Sequence, residues 1–108
     1  MTELYLQRCS ALSKDSKPLE QHQIDALLAE LADWQQPRPT EIQRVFTFQD
    51  YYQTIAFVNA VAWIAHHNDH HPEMQVGYNQ CTVVFSTHSV KGLSLNDFIC
   101  AAKVDRLL

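Results

Sequence analysis

The chain has 108 residues, twelve Asp plus Glu against eight Lys plus Arg for a formal charge of −4, and 46% hydrophobic residues with only two glycines and four prolines. That length makes one domain with a real hydrophobic core, leaves no room for a second, and excludes a disordered or low-complexity chain. The few cations are scattered, which excludes a phosphate-backbone footprint on nucleic acid, and no segment reaches the ~18 uninterrupted apolar residues that cross a membrane.

Met1 to Ser16 mixes Leu4, Leu6 and Leu12 with polar residues without a sustained period, and is expected to be irregular. Its opening carries Glu3 and no apolar run of the signal-peptide kind, so a cytoplasmic protein is expected. Cys9, Cys81 and Cys100 are odd in number and share no CxxC spacing, so they read as reduced thiols. Ser16-Lys17-Pro18 predicts a helix start with proline in the first turn, where its missing N–H costs nothing. Ile24, Leu27, Leu28, Leu31 and Trp34 then recur at helical spacing. Pro37 and Pro39 stop that helix and mark a turn. From Thr40 a strand follows, with Ile42, Phe46 and Phe48 on one side, Gln43 and Thr47 opposite, and Arg44 and Val45 breaking the alternation.

Asp50 with Gln53 has the form of a capping box and opens the longest helix, Tyr51 to about Asp69. Its apolar residues, from Ile55 through Ala65, cover more than one face, so two faces are expected to be covered by the core or by a partner. Met74 to Tyr78 and Cys81 to Thr87 predict two strands, the second marked by Cys81, Val83 and Phe85 alternating with Thr82, Val84 and Ser86. Lys91-Gly92 makes a turn. Ser94 with Asp97 is a second capping box, starting a last helix from Leu95 to about Leu107. The whole predicts an α+β domain, order α-β-β-α-β-β-α: a four-stranded, mostly antiparallel sheet with three helices on one face.

The densest chemistry is His66-His67-Asn68-Asp69-His70-His71-Pro72, four of the six histidines in seven residues. Imidazole gives and takes protons near neutral pH, and Pro72 forces the incoming helix to end at about His70 or His71. Three chemistries fit. A metal site would pair His66 with His70 or His67 with His71 at i, i+4, but Glu73 is the only adjacent third ligand and no HExxH is present, so no metal is expected. Nucleophilic catalysis has only Ser86 and Cys81 as candidates. General acid and base catalysis needs only that His88 fold back over the His70-His71 corner, and it is the chemistry the residues favour.

The spacing His66-x3-His70-His71-Pro72-x5-Tyr78-x9-His88-x8-Asp97 resembles the signature of the pterin-4a-carbinolamine dehydratases. Trp34, Phe46 to Tyr51, Val61-Ala62, Tyr78-Asn79, Ser86-Thr87-His88 and Gly92-Leu93-Ser94 extend the resemblance from about Leu27 to the C-terminus. It departs at His66, where most members have Glu, and at Met74, where many have Trp. The resemblance implies dehydration of 4a-hydroxytetrahydrobiopterin to quinonoid dihydrobiopterin, which recycles the pterin used by aromatic amino-acid hydroxylases, with no cofactor. Carried onto this sequence, His70 and His88 would be the acid/base groups and His71 would mainly position the pterin, with Asp69, Glu73, His66, Met74, Ser86 and Thr87 around the substrate. Asp97 has a sufficient structural reason as a cap, and His67 and His22 have no counterpart role. The resemblance also implies a homodimer or homotetramer. It leaves open a scaffolding role, since animal members partner a homeodomain transcription factor, and action on another pterin, as in molybdopterin metabolism.

Overall fold

The architecture follows from one strand. Cys81, Val83 and Phe85 point inward from it while Thr82 and Val84 point outward, so a single residue of slip would bury the wrong face. The structure, a computed structural model, describes residues 3–13 and 15–108. Met1, Thr2 and Lys14, part of the segment expected to be irregular, lie outside the described residues. The elements are α1 (Gln21–Leu28), β1 (Gln35–Arg38), β2 (Glu41–Thr47), α2 (Tyr51–Asn68), β3 (Glu73–Val76), β4 (Gln80–Phe85) and α3 (Leu95–Asp105). Short 3-10 turns stand at Leu4–Leu6 and His88–Val90. The four strands form one sheet, order β1-β2-β4-β3, antiparallel at every pairing. The expected α+β order is the observed one.

Pairing of Ile42 with Phe85 and of Phe46 with Cys81 sets the inner face of the sheet. On it Phe46 packs 4.6 Å from Phe57 of α2 and 6.2 Å from Trp34, centroid to centroid. Phe98, Ile99, Cys100 and Ala101 of α3 complete the core. Arg44 and Val45 do not break the alternation as expected. Arg44 faces inward opposite Val83, its guanidinium 4.4 Å from the Phe46 ring centre, and donates at 2.8 Å to Asp105, the carboxylate that also takes the Trp34 indole N–H at 2.9 Å. A long stem over an aromatic ring and a paired head let a cation occupy a core-facing position at the rim.

Several boundaries differ from the sequence expectation, and the first helix ends at Leu28, so Leu31 and Trp34 lie in the loop after it and the prolines do not stop it. The first helix starts at Gln21 rather than beside Pro18, because Glu20 and Gln23 supply the capping box. Pro37 lies within β1 instead of in a turn, tolerated because β1 is an edge strand paired only with β2. Leu4–Leu6 is a 3-10 turn packed on α3 with Leu4 buried, where an irregular run was expected. At the start of α2, Asp50 caps the Gln53 N–H at 2.8 Å, but the Gln53 side chain accepts from Gln49.

Of the two faces of α2 expected to be covered by the core or by a partner, the core of the chain covers one. Within one chain α2 buries Thr54, Phe57, Val61 and Ala65, a single face, and Tyr52 and Trp63 are exposed on the other. Replacing Phe46 by Ala is expected to cost about 3–5 kcal/mol of unfolding free energy in urea titrations. Val45→Thr, on the outer sheet face, should stay within about 0.5 kcal/mol.

Candidate active site

The site is built at the end of α2. Asp69 takes the left-handed conformation, φ 49° and ψ 44°, and its N–H returns to Ala65 and His66 carbonyls. The next N–H, of His70, reaches the Ala65 carbonyl at 3.1 Å, the reversed closure by which helices commonly stop. Aspartate tolerates that backbone better than most residues. The helix therefore ends at Asn68, before Pro72 can act on it. The reversal carries the His70 ring over the sheet, stacked on Phe85 at 5.8 Å with an interplanar angle of 6°.

There His70 meets Asp97. The Nε2 to Oδ1 distance is 2.6 Å, and the Asp97 side chain is fully buried. Its other oxygen accepts from the Thr87 hydroxyl at 2.7 Å and the Ser94 N–H at 2.9 Å. Ser94 Oγ accepts the Asp97 N–H in the capping box and lies 2.8 Å from Thr87 Oγ1. Since the one Thr87 hydroxyl proton goes to Asp97, Ser94 must donate to Thr87, and every proton in the cluster has an assigned direction. A carboxylate beside Nε2 fixes the proton on that nitrogen, which leaves Nδ1 as the atom that can exchange a proton with a substrate. Among the described residues no sealed side-chain nitrogen or oxygen is unpartnered. Nδ1 has no protein partner there, so it reaches the surface.

Burial by itself pushes the His70 imidazole pKa down, but the Asp97 hydrogen bond and charge outweigh it, helped by the nearby Cys9 and Asp69. The net result is above the ordinary histidine value. His70 is therefore charged at neutral pH more than a free imidazole is, the state a general acid requires.

His88 sits one residue beyond Thr87, exposed, in the 3-10 turn. The loop that carries it is clasped by Thr87 N–H to Gly92 carbonyl at 2.9 Å and closed by Lys91 with φ 55°. Gly92 is required by closeness: a Cβ there would lie 2.8 Å from Pro18 Cβ. His88, Ser86 and Glu73 line a cleft of about 330 Å³, and His70, Asp69 and Ser10 line another of about 280 Å³. Thr87 is in the wall of both. Thr87, expected around the substrate, is buried with its hydroxyl committed to Asp97, so it holds the carboxylate. His71 is exposed between His70 and Pro72. Met74 is half-buried against the core opposite Val83.

His66 is exposed on α2 with its ring 5.8 Å from that of His67, and His67 lies on Trp63 at 3.9 Å with Nδ1 3.0 Å from the Trp63 carbonyl. The i, i+4 pairing of His66 with His70 does not form, because the reversal at Asp69 sends His70 to Asp97. Among the described residues no three His, Cys, Asp or Glu side chains gather as a metal site.

Sequence reasoning placed Asp97 in the signature but found its cap a sufficient reason for it; in the structure the carboxylate both caps α3 and holds His70. Its signal was its place in the spacing. Ser10 was missed altogether. Its N–H and carbonyl are clamped by the Asn96 side chain at 3.0 and 2.9 Å, which draws the N-terminal segment into the wall of the His70 cleft. No periodicity in Met1 to Ser16 signals that contact.

Residues 17–107 match the sequence family described as pterin 4 alpha carbinolamine dehydratase. A provisionally named pterin-4-alpha-carbinolamine dehydratase of Nitrosomonas eutropha is 52% identical over 101 residues, covering 94% of this chain and 89% of its own. One of the same provisional name from Hydrogenovibrio crunogenus is 46% identical over 110 residues, 99% of this chain and 97% of its own. Among solved structures, a transcriptional coactivator/pterin dehydratase from Brucella melitensis superposes with a TM-score of 0.79 at 31% identity, covering 84% of this chain and 98% of that one. A pterin dehydratase-like protein described as a RuBisCO assembly factor in the alpha-carboxysome superposes with a TM-score of 0.60 at 26% identity, covering 69% and 88%.

An NMR titration of the His70 imidazole tests the cluster. The midpoint should lie above the ordinary ~6.5 in the parent protein and drop in Asp97→Asn, where only the weaker Cys9 and Asp69 effects oppose burial. Stability must follow the same sign. A folded-state pKa raised above the unfolded one gives stabilisation that is complete below about pH 6.5 and is lost as pH rises through the folded pKa. That loss should be smaller in Asp97→Asn, as read by thermal unfolding between pH 6 and 9.

Proposed function

Because the chain belongs to the pterin 4 alpha carbinolamine dehydratase family, we propose that it dehydrates 4a-hydroxytetrahydropterin to quinonoid dihydropterin, with His70 as general acid and His88 as general base. The observation that carries this reading is the 2.6 Å contact between His70 and the buried Asp97. Hydroxide is a poor leaving group, so the 4a-oxygen has to be protonated as its bond to C4a breaks. Imidazolium Nδ1–H of His70 supplies that proton, and water departs. The N5 proton passes to His88, in the adjoining cleft across the shared Thr87 wall, as the N5–C4a double bond forms. Both histidines reset through solvent, and the net change is loss of one water. Asp97 is a positioning residue: it fixes the tautomer of His70 and holds it charged.

His71 positions the pterin, and Asp69 and Glu73 hold its amino and amide groups or a neighbouring ring. His66 and Met74, where the chain departs from its family's usual residues, tune pocket polarity and the wall beside the ring. The product, after a separate two-electron reduction, is again the tetrahydropterin that the hydroxylase consumes, in the cytoplasm.

Turnover of enzymatically generated 4a-hydroxytetrahydropterin is the test. General acid/base help is worth ~10²–10⁴-fold, so His70→Ala and His88→Ala should each cost a factor in that range. Their double variant should lose far less than the product of the two losses. His71→Ala should raise KM with little change in kcat, and His67→Ala should be nearly silent. Asp97→Asn should move the alkaline limb of the rate profile to lower pH, since the acid then deprotonates earlier. A His67 variant as damaged as His70, or full multiplicative loss in the double variant, would assign the wrong imidazoles.

The outer face of α2 supports self-association as a dimer or tetramer, since Tyr52 is 82% and Trp63 66% exposed there. Light scattering at micromolar concentration should give at least twice the 12.4 kDa chain mass, and Trp63→Glu should lower it. A monodisperse, active monomer overturns this. A purely scaffolding protein would keep its assembly and lose nothing in the His70 and His88 variants.

A further inference from the structure

Two of the three thiols meet across the molecule. Cys9 Sγ lies 3.4 Å from Cys100 Sγ of α3, although 91 positions separate them in the chain. Cys81 is buried on β4. We propose that Cys9 and Cys100 are a peroxide-sensitive dithiol whose oxidation fastens the N-terminal segment covalently to α3 beside the His70 cleft.

The surroundings hold both sulfurs in place. The Asn96 side chain clamps Ser10 from both sides, and the Asn96 carbonyl lies 3.7 Å from Cys9 Sγ. On the other side Lys103 donates to the Tyr5 carbonyl at 2.9 Å. A disulfide has an S–S length of about 2.05 Å, so the sulfurs need to approach by little more than an ångström, between segments already tied together.

Their environments differ in the way a two-step oxidation needs. Cys9 is half-buried and lines a cleft of about 650 Å³ with Arg8 and Lys103, whereas Cys100 is fully buried. A peroxide therefore meets Cys9 first. The Cys100 hydrogen bond lowers the Cys9 pKa against the opposing effect of burial, with His70 and Lys103 adding positive charge, while the same hydrogen bond and burial push the Cys100 thiol up. Reactive cysteines occupy such electropositive, part-exposed positions beside a resolving partner.

The steps balance. Cys9 thiolate attacks hydrogen peroxide; the O–O bond breaks, an S–O bond forms, sulfur is oxidised to the sulfenic acid and hydroxide leaves. The Cys100 sulfur then displaces the sulfenic hydroxyl, the S–S bond forms, and the Cys100 proton leaves with that hydroxyl as water. A thiol reductant reverses the bond. Cys100 is one helical turn from Asp97, and Ser10, next to Cys9, lines the His70 cleft, so the covalent tie forms directly behind the wall of the site.

The test uses the full reduced chain, treated with hydrogen peroxide, alkylated under native conditions and mapped by mass spectrometry. A Cys9–Cys100 cross-linked peptide is expected, lost on reduction, with Cys81 unmodified until the protein is denatured. Cys9→Ser should abolish the cross-link. In Cys100→Ser a cyclic 1,3-diketone should trap a sulfenic acid at Cys9. Should Cys100→Ser not fold, thermal unfolding decides: the oxidised parent should melt at least ~5 °C above its reduced form, and Cys9→Ser should show no such difference. Cys9 still singly alkylated after peroxide, or oxidation falling equally on Cys81, overturns the proposal.

Discussion

A carboxylate taken wholly out of water has to be surrounded by donors, and that requirement at Asp97 ties the molecule together. An uncompensated buried charge costs several kcal/mol. Here the donors come from three parts of the chain: His70 beyond the end of α2, Thr87 beyond the end of β4, and the Ser94 N–H at the start of α3. Each also has a backbone duty. His70 closes α2, Thr87 clasps the loop that carries His88, and Ser94 caps α3. Fold and chemistry share the same atoms, so one acidic side chain sets both where these three ends meet and how strongly His70 holds its proton.

The parts of the fold legible in the sequence were those governed by local periodicity. The alternation of Cys81, Val83 and Phe85, the cap at Asp50 and the box at Ser94 and Asp97 each declare themselves within a few residues, and all stand in the structure. Arg44 misled because alternation assigns a cation outward, while the Phe46 ring two residues on and Asp105, distant in sequence, make the inward position favourable. Pro37 misled because turn and edge strand both suit a residue without an N–H. At the site, the spacing brought His70, His88 and Asp97 to attention together, but could not show that the second carboxylate duty exists. Ser10 was invisible, since its only signal is a partner 86 positions away.

Helix α2 joins two surfaces of unlike chemistry. Its inner face, Phe57, Val61 and Ala65, belongs to the core, and its end delivers His70. Its outer face carries Tyr52 and Trp63. Proteins of this architecture are described both as dehydratases and as assembly or coactivator proteins, which is what separate surfaces on one scaffold allow. Substitutions of Tyr52 or Trp63 leave the contact of His70 with Asp97 untouched, so the two surfaces can diverge independently.

The strap formed by the first residues runs along the last helix: Tyr5 against Lys103 and Arg106, Ser10 against Asn96, and Leu19 N–H on the Leu93 carbonyl at 2.8 Å. During synthesis these residues emerge long before their partners. Contacts between segments so far apart in sequence form late. A nascent chain therefore carries its core strands and α2 before it has either Asp97 or the seat for its own beginning. Until α3 has emerged, His70 lacks its carboxylate and the strap lacks its groove, so the candidate site comes into being only after the residues of α3 have been made.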